Sequence, residues 1–156
     1  MAVPGVDRAW AATAYEGAPR RLVAALKFGR RLALAEVAAE AIAASLPGDW
    51  PEATLVPVPA DPLRHRLRGF DAAHEIARGL GPPVLPVLAR APGRRQVGRP
   101  RSERLVGPVV RAIGEVPSRA VLVDDVITTG STLAACAAAL RAGGSQEILA
   151  LAFARA

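Results

Sequence analysis

Two adjacent aspartates, Asp124 and Asp125, interrupt an apolar run in the segment VLVDDVITTGSTL, which spans residues 121–133. The packing of a hydrophobic core does not explain two neighbouring carboxylates. Carboxylates do, however, accept hydrogen bonds from sugar hydroxyls and bind Mg²⁺. The small and hydroxylic residues that follow are typical of a loop whose backbone N–H groups bind phosphate at the start of a helix. The segment therefore predicts a site for a phosphorylated ribose together with Mg²⁺.

Two common phosphate loops do not fit this segment. A P-loop requires a lysine directly after its second glycine, whereas Gly130 is followed by Ser131. A dinucleotide-binding loop requires three glycines, and the segment contains only one. An aspartate that caps a turn before a helix would account for one of the two carboxylates, but not for the order of the whole segment.

The elements predicted around the segment place it at the edge of a parallel sheet. Ala120–Val123 and Glu147–Phe153 are short apolar strands, and Thr132–Arg141 between them is a helix that ends at Gly143–Gly144. Strands that are apolar throughout are buried on both faces, as in a parallel sheet covered by helices, so the predicted fold class is α/β. Ligands of such sheets bind at the carboxyl ends of the strands, where the two aspartates are expected.

The rest of the chain alternates between predicted helices and short strands, without a linker that would divide it. Pro19–Leu46 has helical spacing with a break near Gly29, and Thr54–Val58 is a short strand. Asp71 is expected to cap a further helix, and Pro83–Ala91 is expected to be a short strand that its prolines weaken.

The composition is that of a single globular domain over residues 1–156, with 51% hydrophobic and 22% charged residues. Cys136 is the only cysteine, which excludes a disulfide within the chain and a zinc site built from cysteines. The most apolar stretch, residues 32–46, is too short to span a membrane and contains Glu36 and Glu40. We therefore expect a soluble, cytoplasmic protein without membrane insertion.

The segment 121–133 resembles the phosphoribosyl pyrophosphate (PRPP) motif of type I phosphoribosyltransferases. Both have an apolar strand, two acidic residues, two further apolar positions and then T-T-G-x-T. The resemblance implies a type I phosphoribosyltransferase-like fold in which Asp124 and Asp125 meet the ribose hydroxyls and Mg²⁺. It also implies that the 5-phosphate of the ligand is held by Thr128, Thr129, Gly130, Ser131 and Thr132.

Three further stretches resemble ComF-type competence proteins and follow their motif order: YEGAPRRLVAALKFG at 15–29, VPVPADPLRHRLRGFD at 56–71 and RRQVGRPRSER at 94–104. With the PRPP motif, the resemblance covers nearly the whole chain. It implies a parallel sheet flanked by helices, a small N-terminal hood formed by about residues 1–30, and a flexible loop at 93–104.

The same resemblance assigns residues to the pyrophosphate group of PRPP. Ala60, Asp61 and Arg64 belong to the loop that receives it, and Arg99 and Arg104 to the flexible loop that closes over the site. Arginine suits this role because its guanidinium group forms paired hydrogen bonds with phosphate oxygens. The same arginines suit DNA phosphates, or a solvated basic loop, equally well.

The sequence departs from the ComF pattern at positions that leave the PRPP motif intact. The cysteine-rich, zinc-binding N-terminal region of ComF relatives is not in this sequence, and the usual R-G-F-N-Q is R-G-F-D-A at 68–72. Because of these differences, the resemblance does not indicate which molecule would be the second substrate, the acceptor of the phosphoribosyl group. Lys27, the only lysine, falls in the L-K-F stretch of the resemblance, where it either faces the site or ends a solvated helix.

Charge and family resemblance together leave functions of different classes open. The net charge of +6 favours a nucleic-acid or phosphorylated partner, but the abundance of arginine and alanine also fits a codon-composition bias. The first hypothesis is a Mg²⁺- and PRPP-dependent phosphoribosyltransferase whose acceptor is an unidentified base or amine. The second is a non-catalytic accessory protein of DNA uptake that docks on a competence ATPase. Direct DNA binding, and a regulator that binds RNA through the same surface, stay open beside them.

Overall fold

A computed structural model of the protein describes residues 2–29, 32–62, 66, 69–91 and 108–156, with 28 and 29 described by their backbone alone. The elements in chain order are β1 (Arg8–Ala14), α1 (Gly17–Gly29), α2 (Ala33–Ser45), β2 (Thr54–Pro57), α3 (Ala72–Gly79), β3 (Leu88–Arg90), β4 (Val110–Ala112), β5 (Arg119–Ile127), α4 (Ser131–Ala142) and β6 (Glu147–Arg155). Among the described residues, no helix has the length and apolar character needed to cross a membrane.

Four parallel strands form the main sheet in the order β1–β6–β5–β2. β5, which carries the aspartates, is an interior strand because it pairs with β6 on one side and with β2 on the other. Its side chains enter opposite faces in turn, with Val121 and Val123 on one face and Ala120 and Leu122 on the other. The predicted α/β class, with a parallel sheet flanked by helices, is confirmed.

Helices cover both faces of this sheet. α1, α2 and α3 pack against one face through fully buried side chains that include Val23, Leu26, Ile42 and Ile76. The other face is covered by α4 and by a small antiparallel sheet of β3 and β4. Burial of one large apolar side chain, such as Leu26 or Ile42, stabilises the fold by about 1.5 to 3 kcal/mol because it removes apolar surface from water. The main sheet is thus the middle of three layers.

Two predicted features of the helices are confirmed. The break near Gly29 separates α1, which ends there, from α2, which begins at Ala33. Asp71 caps α3, because its Oδ1 atom accepts hydrogen bonds from the backbone N–H groups of Ala73 (3.0 Å) and His74 (3.4 Å). The cap satisfies donors that the start of a helix leaves free, which explains why α3 begins directly after this residue.

β1 is a strand that the sequence analysis did not predict. It forms one edge of the main sheet, with Ala9 opposite Ala150 of β6 and Ala11 opposite Ala152. Its sequence RAWAATA is rich in alanine, which has a low strand propensity, so pairing with β6 rather than local preference makes it a strand. Part of the segment that the resemblance implied as a hood therefore belongs to the main sheet.

The predicted strand Pro83–Ala91 is only partly confirmed. β3 pairs antiparallel with β4 in the small sheet, whereas Val84 forms an isolated parallel bridge with Leu55 at the edge of β2. Pro86 lies between the two parts and has no N–H group to donate to a strand partner. The proline therefore divides what the apolar pattern predicted as one strand.

Candidate functional site

Asp124 and Asp125 lie inside β5 rather than after it, because the strand continues to Ile127. The register of the sheet places Asp124 opposite Ala152 of β6. Since side chains alternate along a strand, Asp125 shares the face of Val123, which α1, α2 and α3 cover, and Asp124 lies towards α4. The two carboxylates therefore leave the same end of the sheet on opposite faces.

Asp125 is paired with Lys27, which lies in the last turn of α1. The Nζ atom of Lys27 is 2.6 Å from the Oδ2 atom of Asp125, and the two side chains are 28% and 9% exposed. This Oδ2 atom is buried and accepts no hydrogen bond of good geometry from the described residues. The pair is therefore held mainly by charge attraction at low exposure to water. Of the two positions considered for Lys27, the structure shows the one that faces the site.

Asp124 is half-buried, and its Oδ1 atom accepts a hydrogen bond of 2.8 Å from the backbone N–H group of Asp125. Burial, and then the negative charge of Asp125, raise the pKa of Asp124 well above its usual 3.8. Burial, and then the charge of Asp124, also raise the pKa of Cys136 in α4 to about 12. This cysteine therefore stays a thiol at neutral pH and is not a nucleophile.

Residues 128–132, which the motif predicted as a phosphate loop, form the turn after β5 and the first two residues of α4. Gly130 has a φ of 75°, and a Cβ atom there would lie 3.0 Å from the Cγ2 atom of Val3. Glycine is therefore the residue that the turn accommodates without strain. The Oγ1 atom of Thr129 accepts a hydrogen bond of 3.4 Å from the backbone N–H group of Ser131 and lies 3.1 Å from its hydroxyl oxygen.

A hollow of about 30 Å³ lies beside this turn, and Asp124, Thr128, Gly130, Ser131 and Thr132 contribute to its lining. α4 begins with Ser131, so the unpaired N–H groups of its first turn and its helix dipole give the hollow the positive character that a phosphate group needs. Thr129 is the one predicted phosphate-loop residue that does not line the hollow.

A larger pocket of about 300 Å³ connects the carboxylates with the loop after β2. Asp124 and Asp125 line it, and so do Ala60 and Asp61, which the resemblance assigned to the pyrophosphate loop. Parallel strands end at one edge of a sheet, which is why residues far apart in sequence meet here. The structure adds residues that the sequence analysis did not assign to the site, namely Tyr15, Lys27, Phe70, Asp71 and Arg90.

Asp71 anchors the loop after β2 in addition to capping α3. Its Oδ2 atom accepts a hydrogen bond of 3.3 Å from the backbone N–H group of Ala60. Asp71 occupies the position of the asparagine in the usual R-G-F-N-Q, so this departure from the ComF pattern supplies two acceptor oxygens where an amide has one. The carboxylate is therefore used for structure, and the N–H group of Ala60 is already engaged.

Arg90, at the end of β3, is a cationic pocket residue that the sequence analysis did not single out. Its NH2 atom lies 3.8 Å from the Oδ2 atom of Asp61, and its side chain is 27% exposed. In the sequence, a single arginine at the end of an apolar stretch does not indicate a binding site. Its position at the pocket depends on the pairing of β3 with β4, which no local pattern predicts. The positive charge of Arg90 is the one feature in the sequence that is consistent with a role at an anion site.

Three predicted site residues, Arg64, Arg99 and Arg104, lie outside the described residues, as does the predicted flexible loop at 93–104. Their assignment to the pyrophosphate group stays a prediction from the resemblance. The described part of the pocket nevertheless contains two cationic side chains, Lys27 and Arg90.

The carboxylate pair fits Mg²⁺ that is bound together with ligand phosphates. Within the described ranges, no group of three or more His, Cys, Asp or Glu side chains forms a metal cage. Mg²⁺ is commonly held by one or two carboxylates, water and substrate phosphates. Asp124 can supply a carboxylate, whereas the carboxylate of Asp125 is paired with Lys27. The pKa of Asp124 is raised by burial first and by the negative charge of Asp125 second, and a cation would offset this second cause.

Comparison with known proteins bears on the family resemblance. No protein-family model matches the chain. A protein of Streptococcus pneumoniae (strain ATCC BAA-255 / R6) called Competence protein ComFC is 26% identical over 102 residues, which cover 64% of this chain and 46% of the relative. Competence protein ComFC of Bacillus subtilis (strain 168) is 33% identical over 82 residues, which cover 51% of this chain and 34% of the relative. The chain thus spans less than half the length of these relatives. The similarity confirms the predicted resemblance to ComF-type competence proteins.

Proposed function

Starting from the similarity to ComF-type competence proteins, we propose that this protein binds PRPP with Mg²⁺ and transfers its phosphoribosyl group to a base or amine. The observation that carries the proposal is that two carboxylates, a helix start and the loop after β2 share one end of the sheet. Asp124 lines both the small hollow at residues 128–132 and the larger pocket that reaches Ala60 and Asp61. This continuity matches a ligand with a phosphate, a sugar and a second anionic group in a row.

Each part of PRPP has a chemically suitable counterpart in this arrangement. The 5-phosphate suits the hollow at the start of α4, where backbone N–H groups and hydroxyls are available. The ribose hydroxyls suit the oxygens of Asp124 and Asp125, which accept hydrogen bonds. The pyrophosphate suits the part of the pocket near Asp61, where Arg90 supplies a positive charge.

In the proposed reaction, the bond between ribose C1 and a pyrophosphate oxygen breaks, and the oxygen keeps the electron pair. A nitrogen of the acceptor donates its lone pair to C1 and releases its proton to solvent. Mg²⁺, when bound, would stabilise the negative charge of pyrophosphate. The chain would contribute by positioning the ribose and by holding the anionic groups. Asp71 and Asp125 are already engaged, and the oxygens of Asp124 are assigned to the ribose hydroxyls, so the proton of the acceptor is not routed through these carboxylates.

Calorimetric titration of PRPP, with and without Mg²⁺, tests the binding step. We expect magnesium-dependent binding to the wild type that the Asp124→Asn/Asp125→Asn variant loses. Glu147→Gln is a matched control, because it neutralises an acidic residue of β6 outside the pocket. Absence of binding to the wild type would refute the proposal. Release of pyrophosphate with a panel of bases and amines then tests transfer.

A second candidate function follows from the name of the two relatives, which are competence proteins. As an accessory protein of DNA uptake, the chain would use its pocket to sense PRPP or a nucleotide and would dock on a competence ATPase. A stable complex with such an ATPase, without pyrophosphate release from PRPP, would favour this function. Binding to single-stranded DNA that weakens steeply with salt would indicate a direct contact with nucleic acid. Failure of both measurements would exclude it.

A further inference from the structure

The ion pair between Lys27 and Asp125 makes the two carboxylates of the motif unequal. Lys27 belongs to α1, and its Nζ atom lies 2.6 Å from the Oδ2 atom of Asp125. Asp125 is only 6% exposed, so little water surrounds its charge. The ammonium group is in direct contact with Asp125, whereas it acts on Asp124 only as a weaker, more distant charge.

The other described acids of the pocket are engaged as well. Asp61 lies beside Arg90, and Asp71 accepts hydrogen bonds from the backbone at Ala60 and Ala73. Among the described residues, neither Asp71 nor Asp124 has a cation within ion-pair distance. Both oxygens of Asp71 accept backbone hydrogen bonds, whereas the hydrogen bond that Asp124 accepts comes from the backbone of its neighbour. A metal ion that enters the pocket therefore meets one available carboxylate rather than two.

A tethered ammonium group affects a metal ion in a different way from a ligand hydroxyl. A divalent cation that bridges Asp124 and Asp125 would lie within a few ångströms of the Nζ atom of Lys27, where like charges repel strongly at low exposure to water. A ribose hydroxyl is neutral and is not repelled. The contact thus disfavours a bare cation at Asp125 but leaves this carboxylate able to accept a hydrogen bond from a sugar.

We propose that Lys27 is a positioning residue that holds Asp125 for the ribose and excludes a bare divalent cation from the carboxylate pair. Metal then enters the site only together with phosphate oxygens, which replace the ligand oxygens that Asp125 does not provide. The assignment of Asp125 to a ribose rests on the proposed function. The exclusion of a bare cation does not, since it depends only on charges within the chain.

Titration with Mn²⁺ in the absence of PRPP, followed by electron paramagnetic resonance, tests the exclusion directly. We expect weak binding to the wild type and at least about tenfold tighter binding to Lys27→Met, which keeps the length of the side chain and removes its charge. Lys27→Arg retains the charge and is expected to bind Mn²⁺ as the wild type does. Equal or weaker binding to Lys27→Met than to the wild type would overturn the proposal.

Further variants show whether the gain arises at Asp125. In the Lys27→Met/Asp125→Asn variant, the additional affinity for Mn²⁺ is expected to disappear, and its persistence would contradict the proposal. Lys27→Gln is a second uncharged variant if Lys27→Met does not fold, because its amide can still donate a hydrogen bond to Asp125. Since no PRPP is present, failure of the wild type to bind PRPP would refute the proposed function without altering this result.

Discussion

The two ends of the main sheet both carry ion pairs, but in different surroundings. At the amino end, the first residues of β5 and β6 are linked by the pair Arg119–Glu147, whose side chains are 52% and 37% exposed. At the carboxyl end, the side chains of Lys27 and Asp125 are 28% and 9% exposed. The residue types are similar, and it is the second pair that lines the larger pocket of the candidate site. The two ends therefore differ in how far their ion pairs are exposed to water, and not in whether they carry charge.

This difference has an energetic consequence. Water screens an exposed pair, which typically stabilises a protein by about 0 to 1 kcal/mol. A buried charge that loses its partner is costly, at about 3 to 5 kcal/mol. Of the two ends, the carboxyl end of the sheet is therefore the one where substitution of a paired charged residue should change stability more, and where a ligand can gain more from charge.

The largest effect is expected for Lys27→Met. Because Lys27 is partly exposed, we place the loss in free energy of unfolding at the lower end of the range for broken buried pairs, about 3 kcal/mol. Urea denaturation measures it. In the Lys27→Met/Asp125→Asn variant no charge is left unpaired, so most of the loss should be recovered. A loss in the double variant equal to the sum of both single variants would show that the two residues are not coupled.

Gly130→Ala should have the next largest effect. The left-handed backbone costs an alanine about 1 to 2 kcal/mol, and the added Cβ atom would also lie 3.0 Å from the Cγ2 atom of Val3. Gly17→Ala is a matched control, because Gly17 also has a positive φ but a Cβ atom added there would have, apart from its chain neighbours, none of the described residues within 4 Å. A greater loss of stability in Gly130→Ala than in Gly17→Ala would measure the contact with Val3, and equal losses would show that backbone strain alone matters.

Asp124→Asn is expected to stabilise the protein near neutral pH, because burial and then the charge of Asp125 disfavour the ionised carboxylate and raise its pKa. The raised pKa means that the folded wild type holds its proton more tightly than the unfolded chain. Its stability therefore falls as the pH rises from 3.8 towards the folded pKa. The gain of the variant should be absent at low pH and grow with pH. Denaturation at several pH values measures this dependence, and a gain at acidic pH that vanishes at neutral pH would contradict it.

Glu147→Gln should have the smallest effect. The pair with Arg119 is exposed, so we expect a change in unfolding free energy below about 0.5 kcal/mol, and a smaller one at high salt. Denaturation at two salt concentrations provides the measurement. A loss as large as that of Lys27→Met would mean that exposure does not distinguish the two ends of the sheet.

The local parts of the fold were predictable because their signals are contiguous in sequence. The apolar run of β5, the turn around Gly130 and the helix that follows lie within one stretch, and so does the cap of α3 at Asp71. β1 was missed because its alanines have no strong strand preference, and Pro83–Ala91 was predicted as one strand because the effect of Pro86 was underestimated. Both depend on partners elsewhere in the chain.

The sequence by itself determined which chemical groups the candidate site offers, since the carboxylate pair and the turn predicted to bind phosphate lie within the single segment 121–133. Only the tertiary structure decided how the two carboxylates differ. Side chains alternate along β5, so Asp124 faces α4 and Asp125 faces α1. The packing of α1 brings the Nζ atom of Lys27 to 2.6 Å from the Oδ2 atom of Asp125. The tertiary structure also brings Arg90 to Asp61. Such contacts depend on the order of strands and the fit of helices across the whole core, which no local pattern encodes.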